Sequence, residues 1–275
     1  MTPLHADFSG IGVSVTGLPD RLRADLATTW SGFLSETLAE PALVVDVHAD
    51  PPSDREHPFA PKSMRAEREH DRVAFRIEQG DARVARSGPI AIRLASTTPA
   101  LQAAALVNLA TAAIAWRLPA RESALLHAAG IVIEGRAFVL VGGAGAGKTT
   151  WAQGARAAGA DVLGDDLVLV DRSAGAWQAL ASPFRAQAST LRFPGRWPIA
   201  ALLGAVHAGV ASLDDEPAIR MHARLAANLP FAVDGLGADE ALDRLLDALV
   251  RDVPHRTLSF TPDASFVVVL RAAFP

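Results

Sequence analysis

The chain has 275 residues, 50% of them hydrophobic, a formal net charge of -4 and no cysteine. That length and apolar share can bury one large core or two smaller ones, which excludes a disordered chain. Without cysteine there is no disulfide, thiolate metal site or Cys nucleophile, and the mild negative charge with no dense Lys/Arg stripe excludes nucleic acid as the main partner.

The opening MTPLHADFSGIG lacks a basic stretch followed by an apolar one, and no uncharged run is read as long enough to span a bilayer. A cytoplasmic protein with no membrane partner is expected. Strands are predicted at FSGIGVSVTG (8–17), ALVVDVHAD (42–50), RVAFRIEQG (72–80), ARVARSG (82–88) and AIRLAST (91–97), short runs rich in β-branched residues. Between the first two, residues 18–38 have helical spacing, with Leu22, Leu26, Trp30 and Phe33 on one stripe. The proline-rich segment 50–63 reads as a loop. Residues 98–118 stack Leu106, Leu109, Ala113 and Trp116 as a second helix, which leads into the linker candidate LPARES (118–123).

The texture then changes. LLHAAGIVIEG (125–135) and AFVLVGG (137–143) read as strands, 148–158 as a helix, and ADVLGDD (160–166), LVLVD (167–171) and WQALAS (177–182) as strands again. That order predicts an α/β layer on a mainly parallel sheet. Residues 217–229 and 239–253 look helical, and HRTLSF (255–260) and SFVVVLR (265–271) read as closing strands about the turn TPDA. The expected organisation is an amino-terminal α+β domain over 1–117 and an α/β domain over 118–275, with no internal repeat or low-complexity tract.

The stretch VGGAGAGKTT (141–150) fits G-x-x-x-x-G-K-[ST], with an apolar strand entering it and a helix leaving it. The chemistry explains the residue types. Glycines let the backbone curl until successive N–H groups point inward, and the helix N-terminus adds partial positive charge. The expected nucleotide site is therefore Gly142, Gly143, Ala144, Gly145, Ala146, Gly147, Lys148, Thr149 and Thr150. Lys148 would neutralise the β- and γ-phosphates, and the Thr149 hydroxyl would ligate Mg2+.

Two further places bear on the terminal phosphate. His127 opens the strand before the loop-feeding strand, and a lone His in an apolar run is ordinarily a core residue. Asp165 and Asp166 close the strand after the loop's helix; if that strand is parallel to the loop's own, both acids leave the sheet at the edge where Gly142 stands. Phosphoryl transfer to an alcohol needs a cation on the phosphate oxygens and a carboxylate to take the hydroxyl proton, and two adjacent aspartates can divide those tasks. Like charges so close are best tolerated beside a cation. The histidines at 5, 48, 57, 70, 207, 222 and 255 show no metal-ligand spacing, so no structural metal is expected.

LLHAAGIVIEGRAFVLVGGAGAGKTTWAQGARAAGADVLGDDLVLV resembles the core of the HPr kinase/phosphorylase family, bacterial serine kinases whose fold is related to phosphoenolpyruvate carboxykinase. A His ahead of the loop, the GKT loop and a DD pair after the helix carry the resemblance. It implies a P-loop kinase domain of the HPr kinase/PEP carboxykinase-like type, preceded by a smaller α+β domain that presents the acceptor or regulates. It also implies ATP and Mg2+, catalysis by Asp166 as proton acceptor with His127 and Lys148, metal support from Thr149 and Asp165, and a homo-oligomer. The chain departs from that family downstream: SPFRAQASTLRFPGR lacks the Glu of the EIRG-type signature, so the resemblance does not extend to phosphorolysis or to HPr as acceptor. It is more similar to divergent HPr kinase-related proteins of bacterial operons, including those beside ribosomal peptide clusters, where SPFR-like segments and endings such as HRTLSFTPDAS recur.

Arg185 and, after it, Arg192 are candidates for a phosphate or acceptor contact. The acceptor is read as a hydroxyl, serine of a protein or peptide. Two other readings stand beside it: a P-loop NTPase switch or partner-binding module, and a kinase of a small-molecule hydroxyl. Neither a guanine-reading NKxD nor a transporter-type LSGGQ is present.

Overall fold

The computed structural model describes residues 2–38, 41, 43–54, 64–181, 183, 195–230 and 240–275. The alternating residues near the start form strands because each buries every second side chain: Leu43, Val45 and Val47 face inward along one strand, and Ile90, Ile92 and Leu94 along another. The chain divides into two units, one running to Ala120, the other comprising Arg121–Pro230 and Glu240–Pro275.

The first unit carries β1 (Leu4–Asp7), β2 (Gly12–Thr16), α1 (Asp20–Thr29), β3 (Leu34–Ser35), β4 (Leu43–Ala49), β5 (Arg65–Glu69), β6 (Arg72–Ile77), β7 (Gly80–Ala85), β8 (Ile90–Leu94) and α2 (Pro99–Arg117). The sheet order is β3-β1-β2-β4-β8-β7-β6-β5, parallel at β2/β4 and β4/β8 and antiparallel elsewhere. The predicted first helix is shorter than its apolar stripe. It stops at Thr29, and Phe33 joins Phe8 and Trp30 in an aromatic cluster from beyond its end. The expectation that no segment is long and apolar enough to cross a membrane is corrected: Pro99–Arg121 passes by length and composition, and 56% of its most apolar window is buried inside the protein, much of it on β6, β7 and β8. The expected loop over 50–63 extends as far as the described residues 50–54 allow it to be seen; 55–63 lie outside them.

The second unit contains β9 (Ser123–Leu126), β10 (Ala128–Ile133), β11 (Arg136–Val141), α3 (Lys148–Ala157), β12 (Asp161–Gly164), β13 (Val168–Asp171), β14 (Gln178–Leu180), β15 (Arg196–His207), β16 (Ser212–Asp215), α4 (Ala218–Ala227), α5 (Glu240–Asp252), β17 (His255–Phe260) and α6 (Ser265–Ala273). The linker candidate is a 3-10 turn over Leu118–Arg121 followed at once by β9. The sheet runs β12-β10-β11-β15-β14-β13-β9, with β17 on β15 and β16 on β17. Both sheets are mixed, so the fold is a mixed α/β one with sheets of eight and nine strands and six helices among the described residues.

Three predictions are corrected here. The mainly parallel sheet is mostly antiparallel, with β11/β15 and β15/β17 its parallel pairs, because hairpins join β10 to β11 and β13 to β14. The single strand predicted over 125–135 is two, broken at His127: β9 pairs with β13 and β10 with β11 and β12. SFVVVLR is helix α6, not a strand. Asp263 Oδ1 accepts from Ser265 N at 2.9 Å and starts the turn, and Phe266, Val267 and Leu270 then bury one face against Trp151 and Phe260. Burial on that core overrides the strand preference of the Val run.

Candidate functional site

Apolar β11 delivers the chain into residues 142–147, and α3 begins at Lys148. The turn closes with Ala146 N donating to Gly143 O at 3.1 Å. Gly147, just before α3, has φ +83°, and a Cβ there would stand 2.7 Å from the His207 ring. Only glycine serves at such a position. Lys148 is 7% exposed, and its Nζ donates to Gly142 O at 2.6 Å and to Gly143 O at 3.0 Å, folded back over the loop. Burial lowers its pKa below 10.5, opposed by the negative charge of Asp166.

The strand register assembles the other groups. β12 is antiparallel to β10, and β10 to β11, so β11 and β12 run the same way and end on one edge. Ala128 pairs with Val141 and Gly130 with Gly164, which sets His127, Gly142 and the Asp165–Asp166 turn along that edge. The backbone there is stitched: Ala128 N donates to Asp166 O at 3.1 Å, and His127 N to Asn228 O at 2.9 Å, just past α4. His127 Nδ1 and Asp166 Oδ1 stand 2.9 Å apart, each side chain about one-third exposed (31% and 32%). With the proton on Nδ1 the ring donates to the carboxylate. The two neighbouring acids are therefore unlike: Asp165 is 2% exposed, and Asp166 reaches the surface.

Thus the structure gathers Gly142 to Thr150, Lys148, His127 and Asp166 at one sheet edge, with Asp165 buried next to Asp166. Arg185 and Arg192 fall outside the described residues. Thr149 and Asp165 offer hard oxygen donors, the kind Mg2+ takes beside phosphate oxygens. Among the described residues no group of three or more His, Cys, Asp or Glu side chains is placed to hold a metal ion.

Sequence reasoning missed two groups. His207, at the end of β15, has Nε2 3.2 Å from Gly145 O and lies against Gly147. Glu216, whose side chain is wholly buried, accepts from Arg224 Nε at 2.5 Å beside Gly204 of β15. Both depend on β15, a strand the sequence hides because RWPIAALLGAVH contains a proline and a glycine and little alternation. A scan against protein-family models finds no match, and no curated protein matches the chain in sequence.

Proposed function

We propose that this chain is a P-loop kinase of the HPr kinase-like type that transfers the terminal phosphoryl group of ATP to a hydroxyl, serine in a protein or peptide. One observation carries the reading: the His127–Asp166 pair stands on the same sheet edge as the glycine loop, near enough for the Asp166 charge to act on Lys148. A loop with inward N–H groups and a lysine holds phosphate; an Asp–His pair beside it supplies what a phosphate binder lacks, a proton acceptor.

In this mechanism the amides of 142–150 and the Lys148 ammonium hold the β- and γ-phosphates. The acceptor oxygen forms its bond to the γ-phosphorus as the bond from that phosphorus to the β–γ bridging oxygen breaks. ADP leaves with that electron pair, and the hydroxyl proton passes to Asp166. His127, bonded through Nδ1, fixes the direction of the Asp166 carboxylate. Thr149 and Asp165 would hold Mg2+, which when bound spreads the negative charge of the phosphates.

The test incubates the purified chain with γ-labelled ATP, Mg2+ and candidate peptides and proteins, comparing wild type with Asp166→Asn. Label transfer that drops by a factor of about 100 or more in the variant supports the assignment, since a positioned base contributes roughly 10²–10⁴-fold. Undiminished transfer refutes Asp166 as base. Consumption of ATP with label in no acceptor favours the NTPase switch or partner-binding reading instead.

A further inference from the structure

Resting on the reading of residues 142–150 as a nucleotide cradle, we infer that His207 and the chain end of β15 form the nucleoside subsite, contacting the ribose and base that the phosphate loop leaves unheld. The direction of the ligand follows from the two sides of β11. On the β10 side stand His127 and Asp166, where the terminal phosphoryl belongs. A nucleotide is a linear chain from terminal phosphate to base, so its nucleoside leaves the loop on the opposite side, over the ends of β15 and β17.

That side is built for it. β15 is parallel to β11, and Val141 pairs with Gly204, so β15 overruns the last residue of β11 by three residues (207 − 204 = 3) and runs on beside the loop. His207 ends that overhang. Its Nε2 lies 3.2 Å from Gly145 O, its Cε1 would stand 2.7 Å from a Cβ on Gly147, and it pairs in register with Phe260 of β17. Phe260 backs the imidazole, with ring centroids 5.6 Å apart at 40°, while the His207 side chain itself is exposed. The chain then continues through Ala208, Gly209 and Val210, small or apolar residues, with Val210 76% exposed. An exposed planar ring placed at the rim of a phosphate cradle by Gly145 O and Phe260, next to low apolar ground, is the surface on which a base stacks.

The experiment measures binding of ATP and of inorganic triphosphate to the full chain by titration calorimetry, for wild type, His207→Ala and His207→Phe. Triphosphate reports the cradle without a nucleoside. In His207→Ala the dissociation constant for ATP should rise about tenfold more than that for triphosphate, the ratio expected of one lost base contact. His207→Phe, which keeps a ring but loses the bond to Gly145 O, should restore most of that ratio. Equal weakening of both ligands makes His207 a support for the loop alone and overturns the subsite, as does no change in either. Should wild type bind neither ligand, the cradle itself falls and the subsite with it. If wild type binds ATP with the predicted ratio and labels no acceptor, the kinase reading fails while the subsite stands.

Discussion

Gly204→Ala asks whether a single added methyl can be felt through the sheet. Gly204 lies in extended β15, level with the last residue before the phosphate loop, and a Cβ there would stand 2.3 Å from Glu216 Oε2 and 2.8 Å from Arg224 Nε. The backbone itself accepts alanine, which in open strand would stabilise by about 0.5–1 kcal/mol. Relief requires the Glu216 or Arg224 side chain to shift. The Glu216 side chain is fully buried, and moving it pulls its carboxylate from the Arg224 guanidinium. Overpacking costs about 1–3 kcal/mol, and separating a buried pair outright about 3–5. Partial relief should leave a net loss of about 2–4 kcal/mol. Urea unfolding followed by the fluorescence of Trp151 and Trp177, both in the same unit, measures it. In a Glu216→Ala background, where the nearer contact is gone and only that with the untethered Arg224 side chain remains, the same substitution should cost clearly less. Loss of less than about 0.5 kcal/mol in the wild-type background, or equal loss in both, would refute the reasoning. Because Asn228, beyond α4, accepts from His127 N, a displaced Arg224 should also weaken activity.

Further outcomes follow from other groups. Lys148→Met should abolish the stabilisation by ATP, which for wild type at a ligand concentration 100 times Kd is about 2.7 kcal/mol in a thermal melt. Without ligand the sign is set by burial: the folded pKa lies below 10.5, so between that lowered value and 10.5 the unfolded chain binds more protons. Wild type should therefore gain stability relative to the variant as pH rises toward 10.5, and a difference that stays flat with pH would contradict the buried ammonium. Asp171 is 1% exposed and accepts from Ser123 Oγ at 2.6 Å, Ser173 Oγ at 2.8 Å and Arg196, tying β13 to β9 and β15. Asp171→Asn should cost about 2–3 kcal/mol in urea unfolding, with no change in the ratio of ATP to triphosphate binding. Asp252 is held below the ordinary value of 3.8 by the Trp177 indole N–H and by Arg251 and Arg172, so its contribution is present above pH 3.8 and is lost as pH falls below it. Trp177→Phe should move the carboxyl titration of Asp252 up toward 3.8, read by NMR.

How much of this was legible in the chain depends on the range of the forces involved. The glycine loop could be read directly, since Gly147 at φ +83°, Lys148 and the apolar strand before them are neighbours in sequence, and local backbone geometry constrains residue type. The alternation of β4 and β8 was equally plain. By contrast, α6 read as a strand because three consecutive valines are ambiguous until Trp151 and Phe260 stand beneath them. His127 and Asp166 were each visible as candidates, yet their 2.9 Å approach exists only because β10 pairs with both β11 and β12 in one register. His207 carried no signal at all: its meaning comes from a strand overrunning its neighbour by a few residues. Sequence by itself determined the glycine turn ahead of α3 and the alternating strands of the first unit, because turn geometry and side-chain period act over a few residues. Tertiary structure alone decided which ionisable groups share the edge, because strand register is fixed by the summed burial of segments far apart in the chain.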